Sequence, residues 1–185
     1  MNSPLTVDPG IGYVLAGAFA LLFAQATLHK WQRVAEFRAV IANYRLAPRA
    51  LEPVLALLIP ALETGVAALL LPPQTRIIAA VVAMLLLAGY GAGIAINLGR
   101  GRRDVDCGCA GPADRRPIGG WMVWRNLLLV ALLAALALPS ADRGLEFADA
   151  LTILGGIAVA ALLYTAIDQL YAQVVPRGAA LRGIR

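Results

Sequence analysis

The stretch IIAAVVAMLLLAGYGAGIAINL, residues 77–98, continues for 22 residues without a charged side chain. A helix of about 20 apolar residues crosses the roughly 30 Å hydrocarbon core of a membrane, because each residue advances the helix by about 1.5 Å. Four other apolar blocks are also long enough, two of them interrupted by one charge, Glu63 or Arg125. Backbone groups in lipid must be satisfied internally, so these lengths predict helices and not barrel strands. The five predicted transmembrane helices are about 11–30, 53–71, 76–98, 121–138 and 149–170.

The composition of the whole chain agrees with this all-α, polytopic architecture. Of the 185 residues, 60% are hydrophobic and only 15% are charged, and the mean hydropathy is +0.74. A soluble domain of this size needs far more polar surface, so we expect residues 1–185 to form a single transmembrane domain. No Lys or Arg precedes the first apolar block, whereas a signal peptide begins with a cationic region. The first span is therefore expected to be retained.

The basic residues are distributed unevenly about the predicted membrane. Five spans place residues 28–52, the loop 99–120 and the C-terminal tail on one side, and thirteen of the sixteen Lys and Arg lie there. The opposite side has only Arg76 and Arg143. Because cytoplasmic loops carry an excess of Lys and Arg, this bias places both long loops in the cytoplasm. The net charge of +5 is explained by topology, and we expect no nucleic-acid partner.

An amphipathic helix is predicted within the first loop. Phe37, Val40, Ile41 and Tyr44 follow the spacing i, i+3, i+4 and i+7, which places them along one helical face. Arginines occupy the other face. The pattern indicates a helix lying along the membrane interface, with a solvated connector as the alternative.

The only two cysteines of the sequence, Cys107 and Cys109, are separated by one glycine in the third loop. Glycine relaxes the backbone as so short a disulfide loop requires, and a strained disulfide of this kind is readily exchanged. Nearby arginines favour the thiolate, although Asp104, Asp106 and Asp114 oppose them. We interpret the cysteines as a redox pair. The alternatives are an inert or structural pair and a Cu(I) site, for which the sequence offers one His and no cluster of ligands.

Charged residues at membrane depth form a second group of candidates. Glu63 lies near the middle of the second span, and Arg125 lies about one turn into the fourth. Since an unpaired charge in the bilayer is expensive, we expect these two residues to form an ion pair, with Asn97 and Asn126 nearby. The alternative is that Arg125 reaches the interface while Glu63 is protonated. His29, at the end of the first span, is a supporting candidate as a proton carrier near the thiols.

Several segments of the sequence together resemble one known family: Leu28-His29-Lys30, Tyr44-Arg45-Leu46-Ala47-Pro48, Pro60-Ala61-Leu62-Glu63, residues 97–102, Asp106-Cys107-Gly108-Cys109 and Trp124-Arg125-Asn126. They resemble the MauE family of methylamine utilization membrane proteins, which is related to DoxX-like membrane proteins. The resemblance covers residues 11–138, and the Cys-Gly-Cys motif with the downstream Arg-Asn is its most specific part.

The resemblance implies an accessory protein of the bacterial inner membrane. Its role would be processing, transport or maturation of the disulfide-rich small (beta) subunit of methylamine dehydrogenase, with a MauD-like, thioredoxin-fold partner. The resemblance also implies a four-helix core like that of vitamin K epoxide reductases. Those enzymes have a second cysteine pair in the first long loop, and this chain has none there. We therefore expect no cofactor and favour exchange with a partner protein; a quinone is a possible cofactor that nothing in the sequence supports.

Two questions stay open at the level of the sequence. The family role requires the cysteines near the periplasm, whereas the charge bias puts their loop in the cytoplasm. A non-enzymatic membrane scaffold or translocation helper with incidental cysteines is the alternative function. A small-molecule transporter is a third, although the five spans contain no repeated half.

Overall fold

The structure, a computed structural model, describes residues 6–107, 117–139, 141 and 143–182, with side chains as far as Tyr171. These residues form six α-helices and no strand. The helices are α1 Pro9–Gln32, α2 Val34–Tyr44, α3 Glu52–Leu69, α4 Pro73–Gly99, α5 Gly120–Ala134 and α6 Phe147–Arg182. Two short 3-10 turns, Arg49–Leu51 and Ala135–Ala137, extend the start of α3 and the end of α5.

Five of the helices are long and apolar enough to cross a membrane, which confirms the predicted fold class. α1, α3 and α4 each have a proline in the first turn, where its missing N–H costs no helical hydrogen bond. The last helix is longer than predicted. Its 36 residues measure about 54 Å, so α6 extends beyond the hydrocarbon layer at its C-terminal end.

The predicted amphipathic helix is confirmed as α2. The four apolar residues of its stripe are half-buried, while Arg38 and Arg45 are exposed. Arg45 ends the helix with a left-handed φ of 52°. The stripe lines an apolar slot of about 160 Å³ between α2 and the ends of α3 and α4. α2 is therefore packed on the bundle by the face that the spacing indicated.

The bundle is built around α1 and α4, because α1 contacts α3 and α6 while α4 contacts α3 and α5. Its core contains two aromatic side chains of α1 and aliphatic side chains of α3, α4 and α5, among them Phe19, Phe23, Val66, Ala83 and Leu133. Large apolar side chains elsewhere are exposed in the isolated chain, as a surface facing lipid requires.

α6 is the most peripheral helix, since no residue of its membrane-spanning window is buried. It approaches α1 closely at two glycines. A Cβ added to Gly156 would lie 2.8 Å from Cγ2 of Val14, and one added to Gly17 would lie 2.3 Å from Cδ1 of Ile157. Small residues at a helix crossing allow the backbones to approach, and this crossing fixes α6 against the bundle.

Candidate functional site: a polar cavity beside Cys107

A cavity of about 270 Å³ opens among α1, α3, α4, α5 and α6. One part of its lining is apolar, with Leu22, Phe23 and Met122 among the contributors. The remaining lining includes most of the chemically reactive side chains of the spans: His29, Lys30, Glu63, Tyr90, Arg125, Asn126 and Asp168, together with Cys107. Four predicted site residues thus border one space: His29, Glu63, Cys107 and Arg125. Cys109 lies outside the described residues.

Glu63 is the most deeply buried acidic side chain that the structure describes, with 1% of its surface exposed. Its Oε1 atom forms an ion pair with Nζ of Lys30 and accepts a hydrogen bond of 2.6 Å from the hydroxyl of Tyr90. The Lys30 ammonium also lies 5.2 Å from the ring centroid of Phe37. Among the described residues, Oε2 of Glu63 has no hydrogen-bond partner although it is buried. The carboxylate is therefore satisfied on one oxygen only.

Arg125 forms a second ion pair, which is partly buried. Its Nη1 lies 2.7 Å from Oδ1 of Asp168 on α6, and its guanidinium carbon is 5.9 Å from the ring centroid of Tyr164. The predicted Glu63–Arg125 pair is therefore wrong in its partners. The reason is helix order: α1 packs directly on α3 and brings Lys30 to Glu63, whereas α5 packs on α4.

The two asparagines expected near these charges have separate roles. Asn126 lines the cavity and donates a hydrogen bond of 2.7 Å to the carbonyl of Met122 within its own helix. Asn97 is buried near the end of α4, where its Nδ2 donates to the carbonyl of Tyr44 at 3.2 Å. Its Oδ1 accepts a hydrogen bond of 3.0 Å from Arg102. Asn97 therefore joins the first loop to the start of the loop 99–120, which contains the cysteines and is called the cysteine loop below.

Cys107 is held against the bundle by the residues around it. The hydroxyl of Tyr44 donates to the Cys107 carbonyl at 3.5 Å. Two residues earlier, the buried Val105 accepts a backbone hydrogen bond of 3.0 Å from Ile118, which ties both ends of the loop together. The ring of Tyr44 packs against α4 at Gly93, where an added Cβ would lie 3.4 Å from the ring, an ordinary van der Waals distance.

Cys107 also contacts the apolar slot beneath α2. Lys30, Tyr90 and Cys107 line both this slot and the polar cavity, so these three side chains form the boundary between the two spaces. A sulfur at this boundary is bordered by ionisable groups on one side and by apolar side chains on the other.

Sequence reasoning missed three members of the site: Lys30, Tyr90 and Asp168. Lys30 was counted among the loop charges, but it lies within α1 and is only 6% exposed. A signal was present, because a glutamate in the middle of a span requires a cation and Lys30 ends a neighbouring apolar block. Asp168 likewise ends the last apolar block. Tyr90, between two glycines, gave no signal of its own.

Five apolar spans around a cavity lined in part by ionisable side chains, with a cysteine at its edge, define a class: polytopic helical membrane proteins with ionisable groups inside the bundle. The family model described as "Methylamine utilisation protein MauE" matches residues 9–139. The chain belongs to this MauE family, as its motifs indicated.

Curated relatives support the assignment over most of the chain. The "Methylamine utilization protein MauE" of Methylophilus methylotrophus is 38% identical over 163 residues, covering 87% of this chain and 86% of the relative. The protein of the same name from Paracoccus denitrificans is 38% identical over 160 residues, covering 85% and 86%. No solved structure matches the chain. The protein is thus a multi-pass membrane protein and an accessory protein of methylamine utilization.

Proposed function

We propose that this protein assists maturation of the small (beta) subunit of methylamine dehydrogenase by thiol–disulfide exchange, using Cys107 and Cys109 and a thioredoxin-like partner of the MauD type. The observation that carries the proposal is the position of Cys107 at the edge of a cavity with one buried and one partly buried ion pair. Ionisable side chains inside a membrane are costly and are found mostly where they serve a function. Here they surround a thiol.

The exchange can be written as two balanced transfers. A thiolate of the small subunit attacks the Cys107–Cys109 disulfide, and a mixed disulfide forms while one cysteine leaves as a thiolate. The second thiolate of the subunit then resolves this bond, so the subunit gains a disulfide and the pair gains two electrons. A disulfide of the partner reoxidises the pair in the same two steps and becomes a dithiol. Since the chain has only two cysteines, the electrons must leave through another molecule.

The surroundings of Cys107 favour such chemistry. Lys30 and Arg125 line the cavity together with Cys107, and a cation near a thiol stabilises the nucleophilic thiolate once its carboxylate partner no longer neutralises it. Tyr44 and the Val105–Ile118 hydrogen bond hold the backbone of Cys107 in place.

The decisive experiment replaces the cysteines one at a time. Cys107→Ala and Cys109→Ala should each block maturation of the small subunit while the membrane protein still accumulates. One of the two variants should retain a thioredoxin-like protein in an adduct that dithiothreitol releases, because the resolving thiol is missing. Thr152→Ala is the control, since that hydroxyl bonds only the Ala148 carbonyl of its own helix at 3.0 Å. Normal growth on methylamine by the double cysteine variant would refute the exchange and favour the scaffold function.

The side of the membrane that the Cys107 loop faces decides the direction of electron flow. We propose an inner-membrane location, with residues 28–52, the cysteine loop and the tail on one side. Reporter fusions after Arg49, Gly111 and Arg185 should therefore give the same sidedness. A periplasmic result fits direct oxidation of the small subunit, and a cytoplasmic result means that electrons enter from inside. Opposite results at Arg49 and Gly111 would contradict the arrangement of the spans.

A further inference from the structure

Only one oxygen of the Glu63 carboxylate is engaged by the protein. Lys30 and Tyr90 both bond to Oε1, and Oε2 is buried without a hydrogen-bond partner among the described residues. A buried polar atom of this kind is costly unless something else satisfies it. A proton on Oε2 would leave both existing contacts intact, because Oε1 would remain an acceptor.

The space beside Glu63 connects this carboxylate with the thiol. Glu63 and Cys107 line the same cavity of about 270 Å³. Several water molecules of about 30 Å³ each fit into such a volume, and its lining offers enough polar groups to hold them. Water in this cavity would offer protons a path between the carboxylate and the cysteine.

Charge balance in the cavity supplies the driving force for the movement of a proton when the cysteines are reduced. Besides Glu63 of α3, the titratable residues that line this cavity come from α1, α4, α5, α6 and the cysteine loop. They are His29, Lys30, Tyr90, Arg125, Tyr164, Asp168 and Cys107. Lys30 already stands beside Glu63, and Arg125 already stands beside Asp168. A thiolate formed on reduction adds a negative charge to the lining of this cavity. Two nearby anions in a poorly solvated site repel each other, and one proton shared between them relieves the repulsion.

We propose that Glu63 takes up a proton when the cysteine pair is reduced and releases it when the pair is oxidised. This inference rests on the proposed function, because it requires that Cys107 and Cys109 cycle. With dithiothreitol as the reductant, the S–S bond of the pair breaks and the reductant closes to its cyclic disulfide. Of the two protons that the reductant releases, one converts a cysteine to the thiol. The other binds Oε2 of Glu63, and the second cysteine remains a thiolate.

The proposal makes Glu63 a proton store for the redox pair, and the cavity is the path to it. His29 has an exposed side chain. Asp168 is 23% exposed and is bonded to Arg125 through Oδ1. Glu63 differs from both, because it combines deep burial with an oxygen that no described residue bonds.

Infrared difference spectroscopy tests this directly. The purified protein is held in lipid nanodiscs and reduced with perfused dithiothreitol, and the C=O stretching band of a protonated carboxyl group is recorded. We expect the band to appear on reduction, to disappear on reoxidation and to be absent from Glu63→Gln. Asp168→Asn and His29→Gln should retain the band. A band that survives in Glu63→Gln, or that is lost in Asp168→Asn alone, would overturn the proposal.

A second measurement needs no substitution at the site. Glutamate labelled with ¹³C at the side-chain carboxyl should shift the band of the unaltered protein to lower frequency. The label identifies the residue, because Glu63 alone is buried among the four glutamates of the chain. An unshifted band would assign the proton to another residue and refute the proposal.

Counting thiols in the same samples separates the two proposals. If the thiol count rises on reduction and no carboxyl band appears, the redox pair stands and the role of Glu63 falls. If the thiol count does not rise, the pair does not cycle, and both proposals are refuted.

Discussion

Two ionic clusters lie at opposite ends of the bundle, and their burial differs sharply. At the cysteine end, Lys30 and Glu63 are paired with 6% and 1% of their side chains exposed. At the other end, Arg143 joins Asp8 and Asp149, each at 2.8 Å, and Arg143 itself is 43% exposed. The exposed cluster can be solvated whether or not it is formed, whereas the buried pair cannot. Only the buried cluster therefore indicates a function that outweighs its cost.

The helix α6 contributes a carboxylate to an ion pair at each end of the bundle. Asp149 in its first turn bonds Arg143, and Asp168 near the other membrane boundary bonds Arg125. Between them lies the close crossing with α1 at Gly156. The comparison can therefore be tested at three places: the buried pair, the crossing and the exposed cluster.

Breaking the buried pair should have the largest effect. Lys30→Met removes the cation and leaves Glu63 buried, which is expected to cost about 3–5 kcal/mol in the free energy of unfolding. The double variant Lys30→Met/Glu63→Gln should recover most of this loss, since no charge is left without its partner. Thermal unfolding in detergent measures the loss in the single variant and the recovery in the double variant, with a substitution of the exposed Arg38, Arg38→Gln, as control. A double variant as unstable as the sum of the single variants would show that the two side chains are not coupled.

The spans were predictable because a helix needs a minimum length of apolar residues to cross the lipid, and five apolar blocks of the sequence reach that length. The site was only partly predictable. A sequence gives the depth of Glu63 and Arg125 along their helices, but not the direction in which each faces around the helix axis. Both residues do border one cavity, yet their partners are Lys30 and Asp168. These partners depend on which helices are neighbours, which apolar periodicity does not determine when every helix is apolar on most sides.

The length of α6 was missed for a related reason. The predicted span ended near residue 170, where the apolar block ends, but the helix continues to Arg182. Hydropathy marks the part of a helix that lies in lipid and carries no information about a helix that continues into water.

The crossing of α1 and α6 should show an intermediate effect. Gly156→Ala places a Cβ within 3.0 Å of Val14, so α6 must move away from α1, at an expected cost of about 1–3 kcal/mol. Gly155→Ala is the matched control, because nothing lies within 4 Å of a Cβ there. In the control, alanine should be neutral or slightly stabilising, since glycine is unfavourable within a helix. Equal unfolding temperatures for the two variants would contradict the observed crossing.

The exposed cluster should contribute least, and its contribution should depend on pH. Hydrogen bonds from Arg143 and from the backbone of Gly10 hold the pKa of Asp8 below its usual value of 3.8. A carboxyl group with a lowered pKa in the folded state stabilises fully above the unfolded value, and that contribution is lost as the pH falls through the folded value. The small difference in unfolding temperature between Arg143→Gln and the unaltered protein should therefore be constant near neutral pH and shrink below about pH 3.8.

Arg76→Gln provides the control for this last effect at the same end of the bundle. Arg76 stacks on Tyr13, with 4.3 Å between the guanidinium carbon and the ring centroid. It also donates to the carbonyls of Leu70 and Leu71 at 3.2 and 3.1 Å. None of these partners is a carboxyl group, so the effect of removing Arg76 should not change over the same range. A pH dependence shared by both variants would mean that the acid sensitivity arises elsewhere, and the exposed cluster would then contribute nothing measurable.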